Sequence, residues 1–149
     1  MQLTINVAGT EQVRRMLLQI GSRATALALA QTAEQVERYV HAQAGKHTKT
    51  GALARSVDKR RLPGGAWEVF HDLQVAPQAK WVHWGTKPHV IRPKNKKALR
   101  WAGGGMFHFS KKVNHPGNKA DLWMERAAAL APAMFQQHIA AQVALISKG

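Results

Sequence analysis

A chain of 149 residues, 45% of them hydrophobic, is long enough to close one core and suits a single domain over residues 1–149. It holds no cysteine, which excludes a disulfide framework, a thiolate metal site and a thiol nucleophile. The formal net charge of +14 points to a partner of opposite sign, nucleic acid first, against the blander reading of a solvated basic face.

Leu3, Ile5 and Val7 alternate with polar residues, so residues 2–8 read as a half-buried strand ended by Gly9. The same stretch lacks the layout of a signal peptide, and no window approaches the ~18 apolar residues of a membrane span. A chain made in the cytoplasm and free of membrane is expected. Thr10 and Glu11 suit a helix start, with Val13, Met16, Leu17 and Ile20 on one face. Gly21-Ser22 predicts a kink or break. A longer helix then carries Ala24, Leu27, Ala28, Val36, Tyr39 and Val40 to a stop near Gly45.

Leu53 and Val57 suit a short helical or extended segment. Strands are predicted on both sides of Pro63-Gly64-Gly65, with Trp67, Val69 and His71 facing one way and Glu68 and Phe70 the other. From Trp81 to Gly117 the chain reads as a basic, aromatic β-unit. His89 to Arg92, Ala98 to Ala102 and Met106 to Val113 alternate, and Gly103-Gly104-Gly105 supplies a hairpin tip. Period-2 placement assigns the phenylalanines to the core, and Trp81 and Phe107 are expected to pack there. Leu122, Ala127, Leu130, Met134, Ile139, Val143 and Ile146 then mark a C-terminal helix, kinked or divided near Pro132. Helices segregated from a mostly antiparallel sheet make the fold class α+β.

Between residues 73 and 120 there is no acidic residue, while Lys80, Lys87, Arg92, Lys94, Lys96, Lys97, Arg100, Lys111, Lys112 and Lys119 all lie there. Cations neutralise phosphates and interleaved aromatic rings stack on bases, so contact with a nucleic-acid backbone is expected without sequence-specific reading. No helix-turn-helix, zinc finger or RNA-recognition signature accompanies it. His83 and His89, like His108 and His115, have no zinc spacing and no nearby carboxylate, so neither a metal nor any other cofactor is expected. Ser56 and Ser110 lack a nucleophile-elbow context, and the carboxylates form no convincing acid–base pair. His71, Asp72 and His83 would have to meet in space to act together. A histidine-dependent hydrolase is thus a distant third reading, and no enzyme is expected.

Three segments carry a family resemblance. Lys49-Thr50-Gly51-Ala52-Leu53-Ala54-Arg55-Ser56-Val57 resembles a TGxLxxSI segment. Trp81-Val82-His83-Trp84-Gly85-Thr86 resembles YxxxxxFGT and is followed by Pro88 and Ile91-Arg92-Pro93-Lys94. His115-Pro116-Gly117, with Leu122 to Ala127, resembles an HPG…FLxxA close. In this order, over residues 2 to about 131, they resemble the head–tail joining (neck or tail-completion) proteins of long-tailed double-stranded DNA bacteriophages and prophages. Trp81 stands where tyrosine is common, Trp84 where phenylalanine is, and the glycine triplet is a further departure. The resemblance implies a small α+β structural protein that forms a homo-oligomeric ring between portal connector and tail tube. It implies phage connector and tail proteins as partners, a place in the virion, and assembly in the bacterial host cytoplasm. The candidates for contact with DNA or a partner are then Lys87, Arg92, Lys94, Lys96, Lys97, Arg100, Lys111, Lys112 and Lys119. The motif residues expected to be structural are Thr50, Gly51, Leu53, Trp81, Trp84, Gly85, Thr86, Pro93, His115, Pro116 and Gly117. A basic, non-sequence-specific nucleic-acid-binding protein is the alternative.

Overall fold

The computed structural model describes residues 10–47, 50–146 and 148. The strand expected over residues 2–8 lies outside them. The fold is α+β, and the described residues form two long helices, two short ones and six short strands.

Helix α1, Thr10–Gly45, runs unbroken for 36 residues, about 54 Å at 1.5 Å per residue. The break expected at Gly21-Ser22 does not occur. Gly21 lies on an open face with nothing near its missing Cβ. Ser22 and Thr25 return their hydroxyls to the carbonyls of Gln19 and Gly21, at 2.9 and 2.8 Å. One interior glycine costs about 1 kcal/mol relative to alanine, which a long helix packed from Ala24 onward absorbs.

Along α1 the inward positions recur every fourth residue: Ala24, Ala28, Thr32, Val36, Val40 and Ala44, five of them buried and Val36 half-buried. Four residues turn the helix by about 400°, so this stripe drifts about 40° per step. Its first half therefore faces one partner and its second half another. The first partner is α4, Trp123–Ile146. Gln35 bonds His138 at 2.8 Å and Gln31 bonds Gln142 at 3.2 Å, so the two helices are antiparallel. The small residues of α1 meet Ala127 and Ala131 of α4 beside a cleft. Pro132 does not divide α4. Its missing N–H deprives only the Ala128 carbonyl, and both residues lie on the exposed side, where water replaces the lost donor. Of the apolar series expected to mark the C-terminal helix, Ala127 is buried and Met134 and Ile139 are half-buried, but Leu130, Val143 and Ile146 are exposed, as is Leu122 just before α4.

The second half of the α1 stripe faces the body. Helix α2, Ala52–Arg55, leads into β1, Val57–Arg61, which pairs antiparallel with β2, Trp67–His71. The hairpin expected around Pro63-Gly64-Gly65 is present, and its faces are as expected: Val69 packs on the core while Glu68 pairs with Arg60. An ion pair from Lys59 to Glu37 ties β1 to α1. Val40, Ala44, Leu53, Val57, Ala76, Ala79, Trp123 and Ala127 close the core.

The segment expected to enter the β-unit at Trp81 is instead a helix, α3, Ala79–Trp84. Then come β3, His89–Ile91; β4, Leu99–Gly103; β5, Met106–Ser110; and β6, Val113–His115. The expected single sheet is three separate two-stranded ladders, β1–β2, β3–β6 and β4–β5. The last two are nested, so residues 89–115 form one interrupted hairpin, an arm with Gly104-Gly105 at its tip.

Candidate assembly and polyanion-contact surface

The arm begins at a crossing of two motif segments. Thr86 N donates to Asn118 O at 2.9 Å and Asn118 N returns a bond to Thr86 O at 3.1 Å. The strands pass so closely that side chains are excluded. A Cβ on Gly117 would lie 2.1 Å from Thr86 O, and one on Gly85 would lie 2.6 Å from Asn118 O. Both glycines have positive φ, 83° and 73° respectively. Above the crossing His89 sits opposite His115, their rings 5.0 Å apart. Gly117 N–H donates to His115 Nδ1 at 3.0 Å, which closes the His115-Pro116-Gly117 turn. The two motifs that lie far apart in sequence are therefore one structural unit. The third motif is separate. Thr50 and Gly51 lead into α2, and Leu53 is buried in the core.

Farther out, the ladder is interrupted unequally: residues 92–98 separate β3 from β4, whereas only Lys111 and Lys112 separate β5 from β6. Arg92, Lys94, Lys96, Lys97, Lys111 and Lys112 all fall in this bulge and all are exposed, with Pro93 half-buried among them. They form a cationic collar around the middle of the arm. Lys87, Arg100 and Lys119 are exposed as well. Among the described residues none of these nine cations is in an ion pair with a carboxylate.

Beyond the collar, β4–β5 carries aromatic groups on both faces. Trp101 stacks on His108 across the ladder at 5.5 Å. On the opposite face the Arg100 guanidinium lies over the Phe107 ring at 4.0 Å. Phe107 was expected in the core and is instead 57% exposed; Phe109 is 67% exposed and Met106 64%. Period-2 alternation holds here, but among the described residues no layer covers either face. Trp81 is likewise not a core residue: it is 49% exposed on α3, with the Lys80 ammonium 5.0 Å over its ring. Trp84, next to Gly85, is 64% exposed.

The core tryptophan is Trp123, fully buried at the start of α4. Three histidines surround it. His47 stacks on it at 5.4 Å, and the rings of His71 and His83 meet it edge-on at 5.7 and 4.7 Å. Trp123 Nε1–H donates to His71 Nε2 at 3.0 Å, which requires a lone pair there. His71 Nδ1–H therefore donates to Ser56 Oγ at 2.8 Å, and the Ser56 hydroxyl donates to Leu53 O at 2.7 Å. Burial, then the charge of His83, holds His71 below the ordinary imidazole range, consistent with that neutral ring. Ser56 and His71 are thus a structural pair: the imidazole lone pair is occupied by the indole and the hydroxyl is buried. His83 Nε2 bonds Glu125 at 2.6 Å, while its Nδ1 is buried without a partner. His47 Nε2 donates to Asp121 at 2.5 Å. Arg126 also pairs with Asp121, and first that bond and then His47 hold the carboxyl below its usual range. His71 and His83 do meet, but Asp72 stands apart, its carboxylate accepting from Gln74 N–H at 2.8 Å. Sequence reasoning missed Trp123. The available signal was its place at the start of the C-terminal helix, within the Leu122 to Ala127 close of the His115-Pro116-Gly117 segment.

No group of three or more metal-ligating side chains suited to an ion occurs among the described residues. No helix among them is long and apolar enough to cross a membrane. Comparison with family models, with curated proteins and with solved structures gives no match.

Proposed function

We propose that the chain is a structural virion component of a tailed double-stranded DNA phage or prophage. In this reading it is a head–tail joining (neck or tail-completion) protein, forming a homo-oligomeric ring between portal connector and tail tube in the host cytoplasm. The observation that carries this reading is the arm. A body with its own core extends a two-stranded ladder that carries exposed aromatic side chains on both faces and, among the described residues, packs extensively against no other element. An isolated two-stranded hairpin is at best marginally stable in water, so such an element is suited to completion by a neighbour. The motif residues support the same reading, since two of the three segments of the resemblance converge on the crossing that fixes the arm. Catalysis has no part in it. The collar of unpaired cations suits passing contact with a DNA backbone. It equally supports the second reading, a basic non-sequence-specific nucleic-acid-binding protein.

Mixing the purified chain with its cognate connector and imaging by negative stain separates the two. A ring seated on the connector, with joining of heads to tails, is expected. No association with any head or tail component, together with tight, salt-sensitive binding of duplex DNA by the chain alone, would favour the second reading.

A further inference from the structure

We infer that the arm binds single-stranded nucleic acid, unpaired bases stacking on its exposed rings while the collar holds the backbone. This rests on the nucleic-acid reading above and adds which form of the polymer is selected, and by which side chains.

Register builds the platform. Across β4–β5, Arg100 stands opposite Phe109 and Ala102 opposite Phe107, so these four share one face of the ladder. Side chains two apart on a strand are spaced by about 7 Å, which sets the two phenyl rings side by side. Phe109 is the most exposed large apolar side chain of the arm, and among the described residues it stacks on no other ring. Phe107 has the Arg100 guanidinium over it, and a guanidinium plane is itself a surface on which unpaired bases stack. The opposite face adds an indole, Trp101, stacked on His108.

These rings select the form of the polymer. In a duplex each base face is covered by the neighbouring pair, so exposed phenyl rings meet only backbone. An unpaired strand presents the π-face of every base. A two-stranded ribbon in a major groove reads base edges with hydrogen-bonding groups. On the phenylalanine face only Arg100 carries one.

Charge selects a polyanion. The collar adjoins the platform, with Lys111 two residues beyond Phe109 and Lys97 three before Arg100. No carboxylate lies between residues 73 and 120, and Glu37, Glu68, Asp121 and Glu125 are paired within the body. The whole chain carries +14. Another copy would therefore meet the collar with a surface of its own sign, whereas a phosphate backbone meets it with the opposite one.

The full chain is titrated by fluorescence anisotropy with labelled oligodeoxyuridine of about 15 nucleotides, with oligouridine and with duplex DNA of equal length. Each base stacked on an aromatic side chain is worth roughly 5- to 150-fold in affinity. The single strand should therefore bind at least about tenfold more tightly than the duplex at the same salt. Oligodeoxyuridine and oligouridine differ in the 2′-hydroxyl, which neither rings nor collar require, so they should bind within about fivefold of each other. Phe107→Ala with Phe109→Ala should erase the preference for the single strand, leaving duplex affinity and its salt slope unchanged. The melting temperature should not move, because the core draws no residue from the arm. Singly, Phe109→Tyr should keep the affinity and Phe109→Leu, which retains apolar bulk without a ring, should lose it.

Equal affinity for the two forms, or a leucine variant as good as the tyrosine one, overturns the stacking surface and leaves the nucleic-acid reading standing. A sugar preference beyond about fivefold overturns it as well, since other groups would then read the strand. No binding of either form overturns both.

Discussion

Trp123 Nε1–H donates to His71, so replacing the indole removes volume and a donor together. Trp123→Ala should cost about 3–5 kcal/mol. Trp123→Phe keeps most of the ring but leaves the buried His71 nitrogen unpaired, for roughly 1–3 kcal/mol. Trp81→Ala, at a half-exposed site, should stay within about 0.5–1 kcal/mol. Urea unfolding of the three variants ranks them, and a Trp81 variant as damaging as Trp123→Ala would contradict the burial pattern. The same network fixes a pH dependence. His71 is held down by burial and by His83, so the folded chain binds that proton at lower pH than the unfolded chain does. Stability is full above about pH 6.5, the unfolded value. It falls as pH drops from there through the folded value. Asp121, held down by Arg126 and His47, adds a loss in the same direction below the usual carboxylate range. Melting temperature should therefore decline from pH 7 to 5, less steeply in His71→Gln. A flat or rising profile would rule this out.

Elements were legible where local chemistry decides them. The turn at Pro63-Gly64-Gly65 and the tip at Gly104-Gly105 need positive φ, which glycine supplies, and both hairpins form where that need is met. Alternation in β5 correctly sorted Phe107 from His108, but a period of two says only that faces differ, not that either is covered. Hence Phe107 was assigned to a core that lies elsewhere. The core depends on a stripe of small residues in α1, whose contribution is close approach, and on Trp123, which is enclosed by His47, His71 and His83 from three distant segments. Neither is a periodic signal. The nesting of β3–β6 around β4–β5 was likewise invisible, because pairing partners more than twenty residues apart leave no local trace. The crossing that supports the nest makes a sharp prediction. Gly117→Ala places a Cβ against the backbone of Thr86 at a positive φ, and should destabilise by more than about 2 kcal/mol. Gly104→Ala, in open space, should cost only the strain of its φ, about 1 kcal/mol. Thermal melts of the pair decide it, and equal costs would mean that the crossing is not tight.

For the molecule as a whole, charge and stability are carried by different parts. The collar has no carboxylate partners, so Lys94, Lys96 and Lys97 replaced together by Ser should leave the melting temperature nearly unchanged. Binding to duplex DNA should weaken uniformly across sequences. Each lysine that contacts a phosphate contributes about 0.9 to the slope of log affinity against log salt. The triple variant should therefore lose up to about 3 from that slope, measured by fluorescence anisotropy. An unchanged slope would remove the collar from any DNA contact.

The crossing also makes the arm a detachable cassette. Residues 89–115 leave and rejoin the body beside one pair of backbone bonds between Thr86 and Asn118. Replacing them with a short turn shortens the closed loop several-fold and relieves on the order of 1–2 kcal/mol of closure entropy. The body, whose core draws nothing from the arm, should fold at least as stably without it. A constant body can thus carry arms of other lengths and chemistries, changing the surface it presents without rebuilding what holds it together.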